Sequence, residues 1–369
     1  MPLILDLKKL TESRIRQQAK DLKVNDAQLV ENCLHAFLLL GYLSQAGLPF
    51  LFKGGTSILL HATTLRRLSI DIDIVSPAAD GELIGVLGQI ARQTPFTRMD
   101  EDVRDFRGQP NRRHFRFFYP SILRPGRERN VLMDVVRGDW DYLEHEKKSV
   151  AQPWMDIAES AEVFVPTVPA LLGDKLTAFA PNTIGVRYVN SEGEEGDLMQ
   201  IGKQLFDIGE LFDLCPDLQN CHGAYRHSFE KENGYRDGQF TFEEVLADTL
   251  KAAMAATFRH PKKPEDYDRM IKRCIRPLEN HLAGCSFGAP QAAAAAGKVA
   301  VLVEMLKREK SGTPLTPEFL RPPANLASLK DTVINGDWAY LKKIKGTSPE
   351  GFHYWHQASL LRGKTGLVE

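Results

Sequence analysis

Apolar residues in the first 140 positions follow two different periods. From residue 8 to 46 they recur at helical spacing, which predicts helix with a start at Thr11. Short apolar runs that are typical of strands lie at 50–52, 68–75, 113–119 and 130–136. Between the first two runs, Gly54–Gly55 predicts a turn and 56–62 a short helix.

After residue 166 the helical period dominates. Helices are predicted at 168–180, 202–215, 241–258, 264–281 and 292–310, the last with five consecutive alanines. Four prolines between 314 and 323 mark a linker. The pattern predicts an α+β protein in three parts. A mixed β-sheet core with flanking helices occupies 1–165, a mostly helical domain 166–310, and a Pro-rich linker and tail 311–369.

Composition narrows the class of protein. The 369 residues are 43% hydrophobic and 26% charged with a net charge of -1, which is ordinary for a soluble globular protein. No global basic field attracts nucleic acid, so any such binding needs a local patch. The five cysteines show no CxxC spacing, which favours neither a disulfide framework nor a zinc site. Without a signal peptide or a bilayer-length apolar run, we expect a cytoplasmic protein that does not bind membranes.

Two aspartates interrupt the aliphatic run that predicts the second strand. Asp71 and Asp73 alternate with isoleucines, and side chains two apart on a strand project from the same face. Neighbouring carboxylates repel unless a cation or protons compensate, and oxygen ligands favour Mg²⁺ or Mn²⁺. Asp134, the lone acid of the run at 130–136, is the natural third ligand if its strand neighbours theirs. The plainer alternative is an edge strand that exposes one polar face.

The glycine turn before these acids has the composition of a phosphate-binding loop. Gly54 and Gly55 let a ligand approach the backbone, while Thr56 and Ser57 carry hydroxyls that can bond phosphate oxygens. A helix that begins here points N–H groups at an anion. A glycine pair alone also fits an ordinary turn, so the prediction of a phosphate-binding loop depends mainly on the spacing of 13 residues between GGTS and DID. Together the motifs predict a site for a nucleoside triphosphate with its metals.

The two motifs together resemble those of a known family. KGGT at 53–56 and RLSIDID at 67–73 are similar to motifs of the AbiEii/MenT nucleotidyltransferase toxins, which belong to the DNA-polymerase-β-like superfamily. LLGDKLTA at 171–178, which contains Lys175, is similar to a second family block. Farther along, Asp207 is matched to an acidic family position for which Asp197 and Asp213 compete. The resemblance covers residues 25–215.

This resemblance implies a nucleotidyltransferase core and a set of roles. The reaction would be Mg²⁺-dependent transfer of a nucleoside monophosphate (NMP) from an NTP to an acceptor hydroxyl, with release of pyrophosphate. Asp71, Asp73 and Asp134 would hold the metals, or Asp134 would activate the acceptor hydroxyl, and Lys175 would contact the outer phosphates. The other nucleotide-binding residues would be Lys53, Gly54, Gly55, Thr56, Ser57, Arg67, Ser69 and Asp207.

The same resemblance implies the toxin of a type IV toxin–antitoxin (abortive-infection) system. Its acceptor would be the 3′ end of tRNA, and a cognate antitoxin would neutralise it. Arginines interleaved with aromatic residues between 104 and 129 could hold RNA, or could belong to a solvated hairpin whose aromatics face the core. Two other functions stay open: transfer to protein hydroxyls or a small molecule, and nucleotide binding without catalysis.

Overall fold

The computed structural model describes residues 5–102, 112–140, 142, 144–190, 192–308 and 320–363. The chain forms two compact units. The first comprises Met1–Leu171 with Asn280–Cys285, and the second Leu172–Glu279 with Ser286–Glu369. This division differs from the three predicted parts, because 280–285 returns to the first unit and the described part of the tail belongs to the second.

A mixed sheet of seven strands forms the centre of the first unit. The strands are β1 (Leu51–Lys53), β2 (Ile72–Ser76), β3 (Arg98–Asp102), β4 (Arg112–Pro120), β5 (Glu128–Arg137), β6 (His145–Ser149) and β7 (Glu162–Pro166). Their order is β3-β4-β5-β2-β1-β7-β6. The β2–β5 and β1–β7 pairs are parallel, and the other neighbours are antiparallel. The predicted α+β class and mixed sheet are therefore confirmed.

Among the described residues of this unit, four α-helices accompany the sheet: α1 (Glu12–Asp21), α2 (Ala27–Gln45), α3 (Gly54–Ser57) and α4 (Asp80–Ile90). The single helical period over 8–46 corresponds to two helices, since Lys23 takes a positive φ of 54° between them. Asp26 then caps α2 by accepting a hydrogen bond from the Gln28 N–H. The central part of α2 is almost entirely buried, and it packs against β5 and β7.

A buried carboxylate fastens α2 to the turn between β4 and β5. Glu31 is fully buried and accepts hydrogen bonds from Gln28 Nε2 (2.6 Å), Ser121 Oγ (3.0 Å) and the Ile122 backbone N–H (2.5 Å). One turn later, His35 is also fully buried, and burial lowers its pKa to about 4. Such groups are tolerated in a core because they are hydrogen-bonded.

The second strand begins later than its apolar run predicts. Residues 68–71 lie outside β2, which starts at Ile72. The Leu68 N–H donates to the His281 carbonyl oxygen (2.9 Å), and the Ala283 N–H donates to that of Arg66 (2.9 Å). Arg67 and Leu282 form an isolated antiparallel bridge. The returning segment 280–285 therefore provides backbone hydrogen-bond partners for Arg66 and Leu68, shortly before β2 begins.

The second unit is built mainly from helices. They are α5 (Val168–Ala178, which begins in the first unit), α6 (Leu198–Leu214), α7 (Cys221–Gly234), α8 (Phe242–Thr257), α9 (Pro264–Arg269), α10 (Ala289–Leu306) and α11 (Pro349–Gly363). At its centre α10 packs against α6, α8 and α11. In the part of the chain that the structure describes, α10 is the one helix long and apolar enough to cross a membrane. Because 78% of it is buried in the protein, it has the properties of a core helix.

Candidate functional site

The glycine turn and the second aspartate are in direct contact. Antiparallel pairing of β1 with β2 sets Lys53 opposite Asp73, and the chain turns at Gly54 into α3. Gly54 has a φ of +77°, which favours glycine. A methyl group on its Cα would lie 2.8 Å from the Cγ of Asp73 and would overlap Oδ2. The absence of a side chain at Gly54 thus creates the space that the Asp73 carboxylate occupies.

The hydroxyl of Thr56 joins the two halves of the motif. Thr56 is fully buried, and its Oγ1 lies 2.6 Å from the Asp71 carbonyl oxygen and 2.8 Å from Ser69 Oγ. Ser57 Oγ donates to the Gly54 carbonyl oxygen at 2.9 Å. Both hydroxyls thus have backbone partners, whereas the sequence predicts that they bind phosphate. In this structure they hold the loop in shape.

Three in-register residues cross the sheet beside this turn. Asp73 on β2 lies opposite Asp134 on β5, and Asp134 lies opposite His114 on β4. His114 Nδ1 is 2.6 Å from Asp134 Oδ1, and the Asp134 side chain is 41% exposed. Neighbouring strands are about 4.8 Å apart, so residues in register carry adjacent side chains. The condition set for Asp134, that its strand neighbours that of Asp73, is met.

Asp71 differs from Asp73 in its backbone. It lies one residue before β2, so the argument from strand alternation applies to Asp73 alone. Thr56 fixes its carbonyl group instead. Across the described ranges, no group of three or more His, Cys, Asp and Glu side chains is already arranged to hold a metal. The adjacent carboxylates of Asp73 and Asp134 nevertheless fit a hard cation, since Mg²⁺ typically binds through one or two carboxylates and completes its shell with water and phosphate.

Arg67 of the same motif is a buried residue. It is 6% exposed, and its Nη1 is 3.4 Å from the Leu68 carbonyl oxygen. Burial raises the pKa of the neighbouring Cys33 thiol to about 12, while the Ser69 backbone and the Arg67 charge act in the opposite direction. The guanidinium therefore lies within the first unit, close to α2.

In the second unit, Lys175 on α5 is paired with Asp207 on α6. Lys175 Nζ lies 3.2 Å from Asp207 Oδ2, and the two residues are 7% and 2% exposed. The competing acids have other partners: Asp213 bonds Lys298 at 2.7 Å, and Asp197 accepts from Gln200. Of the three candidates for the acidic family position, Asp207 is the one beside Lys175.

The arginine- and aromatic-rich segment contributes most of its described aromatic side chains to the core. Phe115, Phe117 and Tyr119 are at most 1% exposed, whereas Phe118 is half-buried with the Arg98 guanidinium over its ring. Arg113 donates to Glu101 on the neighbouring strand β3. The positions at 104–107 lie outside the described residues. Three of the side chains expected to stack on RNA bases, Phe115, Phe117 and Tyr119, therefore belong to the hydrophobic core, as in the hairpin alternative.

Sequence reasoning missed His114. It is one of ten histidines, and no motif marks it. Buried aromatics alternate along β4 at Phe115, Phe117 and Tyr119. That alternation identifies His114 as a residue of the opposite face. Its register against Asp134 could not be read from the alternation.

Comparisons with known proteins agree with the motifs. A family model described as "Nucleotidyl transferase AbiEii toxin, Type IV TA system" matches residues 38–296, well over half of the chain and farther than the predicted limit of 215. MenT4, a nucleotidyltransferase toxin from Mycobacterium tuberculosis H37Rv, has a similar fold. Its TM-score is 0.54 at 14% sequence identity, covering 82% of this chain and 91% of that chain. JHP933 from Helicobacter pylori gives a TM-score of 0.40 at 15% identity, covering 75% and 94%. No curated protein is significantly similar in sequence.

Proposed function

This chain belongs to the AbiEii family of nucleotidyl transferase toxins from type IV toxin–antitoxin systems, and we propose that it transfers an NMP from an NTP to an acceptor hydroxyl and releases pyrophosphate. The observation that carries the proposal is the packing of the Asp73 carboxylate on Gly54, with Asp134 in register on the next strand. A carboxylate pair beside a glycine turn is suited to a metal-bound triphosphate.

We assign Mg²⁺, or Mn²⁺, to Asp73 and Asp134, with Asp71 as a further ligand. When bound, the metal would neutralise phosphate charge during an in-line displacement. The protein's own residues set the geometry: Gly54 makes room for Asp73, and Thr56 holds the backbone of Asp71. Asp134 has a partly exposed carboxylate that can alternatively accept the proton of the acceptor hydroxyl.

The triphosphate is assigned to the turn and to Lys53. Lys53 lies in register with Asp73, and the Gly54–Gly55 backbone can approach phosphate oxygens closely. Thr56 and Ser57 serve this site by fixing the turn, given their backbone hydrogen bonds. Arg67, Ser69, Lys175 and Asp207 are assigned to nucleotide binding on the resemblance of their motifs.

The acceptor and the partner are also part of the proposal. The family resemblance favours the 3′ end of tRNA as acceptor and a cognate antitoxin as the neutralising protein. A second candidate acceptor, a protein hydroxyl or a small molecule, is supported by one observation. Phe115, Phe117 and Tyr119 are core residues, as that alternative requires, and do not form an RNA-stacking surface.

The test is transfer of label from each α-labelled NTP in turn, with Mg²⁺ and total tRNA. Asp73→Asn and Asp71→Ala should abolish transfer without unfolding the protein, because each removes one negative charge from a site whose carboxylates repel one another. Asp337→Asn is the matched control, since Asp337 is 85% exposed and pairs with Arg362 on the surface. It should behave as the unmutated protein does.

The position of the label decides between the candidates. Label on tRNA supports the RNA acceptor, and label on the protein supports a hydroxyl of the chain itself. Pyrophosphate release without either product supports a small-molecule acceptor. The absence of pyrophosphate with all four NTPs, or transfer by Asp73→Asn at the normal rate, would refute the assigned site.

A further inference from the structure

His114 makes a close and directed contact with one of the assigned metal ligands. Its side chain is 13% exposed, and Nδ1 lies 2.6 Å from Asp134 Oδ1 across the β4–β5 ladder. The contact is fixed by register, because the two residues are direct partners on neighbouring strands. Asp73 continues the same row on the other side of Asp134.

The chemistry of the two groups determines the direction of this hydrogen bond. An ionised carboxylate has no hydrogen to donate, so Nδ1 of His114 carries the proton and donates it to Oδ1 of Asp134. The bond fixes the plane of the carboxylate, and the second oxygen of Asp134 can then coordinate a cation. Partners of this kind orient metal ligands, and their loss typically weakens metal binding about 10–100-fold.

We propose that His114 is a positioning residue that holds Asp134 in the orientation required for a divalent cation at the Asp73–Asp134 pair. The inference rests on the proposed function for the location of the cation. His114 itself touches neither substrate nor metal in this proposal, and it acts through the Asp134 carboxylate.

Two replacements of His114, one with a hydrogen-bond donor and one without, distinguish this positioning role from a packing role. His114→Asn places an amide N–H near the position of Nδ1, and His114→Phe keeps a ring without a donor. Mn²⁺ binding to the complete protein is measured by the loss of the free-Mn²⁺ electron paramagnetic resonance signal. Asp73→Asn identifies the site as the negative control, and thermal unfolding of each variant checks the fold.

We expect His114→Phe to bind Mn²⁺ about 10–100-fold more weakly and His114→Asn to recover most of the loss. Equal weakening in both variants would overturn the inference, because it would indicate packing alone. Unchanged binding in His114→Phe, or no Mn²⁺ bound by the unmutated protein, would overturn it as well. Label transfer is assayed separately, so the expected binding pattern without any transfer would refute the proposed reaction and leave the positioning role intact.

Discussion

Gly54→Ala tests whether the Asp73 carboxylate must occupy the space above the turn. The new methyl group meets two costs. A φ of +77° costs an alanine about 1 kcal/mol or slightly more. The overlap with Asp73, 2.8 Å at Cγ, requires that side chain to rotate or its strand to shift, which costs about 1–3 kcal/mol. We therefore expect the free energy of unfolding to fall by about 2–4 kcal/mol.

Gly47→Ala is the matched control for the backbone cost. Gly47 has a φ of +73°, and a methyl group there would have no atom within 4 Å. Both variants change the entropy of the unfolded chain in the same way, so the difference between them measures the overlap with Asp73. Urea unfolding gives the two free energies, and label transfer and Mn²⁺ binding are measured on the same preparations.

The decisive result is a split between stability and activity. Because a displacement of about 1 Å in an active site can cost about 100-fold in rate, Gly54→Ala should lose transfer by at least about that factor. Gly47→Ala should retain it within a few-fold. If Gly54→Ala transfers label and binds Mn²⁺ almost normally, Asp73 does not need the observed position and the assigned site is wrong. Equal losses in both variants would attribute the effect to backbone strain alone.

Three further perturbations test the core and the second unit. Glu31→Ala should lower the free energy of unfolding by about 3 kcal/mol, because two buried donors and the partly buried Ile122 N–H lose their acceptor. Glu12→Ala on the surface of α1 should change it by less than about 0.5 kcal/mol, and urea unfolding compares the two variants. Lys175→Met should lower the free energy of unfolding by about 3 kcal/mol, since it leaves Asp207 buried without the lysine charge. A Lys175→Met/Asp207→Leu double variant that regains stability but not label transfer would separate the proposed role in nucleotide binding from the structural one. His35 has a pKa of about 4 when folded and about 6.5 when unfolded, so the unfolded chain takes up the proton first. The contribution of neutral His35 to the free energy of unfolding is complete above pH 6.5 and is lost toward pH 4, at up to about 1.4 kcal/mol per pH unit. The free energy of unfolding of His35→Phe should therefore depend less steeply on pH across this range.

The predicted strands were correct where one face of the strand is buried. The runs at 113–119 and 130–136 correspond to β4 and β5, because apolar residues at alternate positions bury one face of a strand against the core. β3 has the sequence RMDED and was missed. It lies at the edge of the sheet, where backbone pairing with β4 suffices and an acidic surface discourages further pairing.

The candidate site was predictable in its residue types and less so in its arrangement. Local sequence identified Gly54 and Asp73, since a charged residue in an aliphatic run is unusual and the glycine turn precedes it at the spacing of 13 residues between GGTS and DID. The contact between them depends on the pairing of β1 with β2, and the Asp134–His114 bond depends on the register of β4. Register is a property of the assembled sheet, so a local pattern could not supply it.

The return of residues 280–285 to the first unit has a consequence for synthesis on the ribosome. Domains generally fold as units while the chain emerges from its N-terminus. Here the backbone partners of Arg66 and Leu68, just before the two aspartates, are Ala283 and His281. The loop that leads into the DxD motif therefore lacks these partners while the first 279 residues are being made. During its synthesis this chain would complete its first unit only after α5 to α9 have been translated.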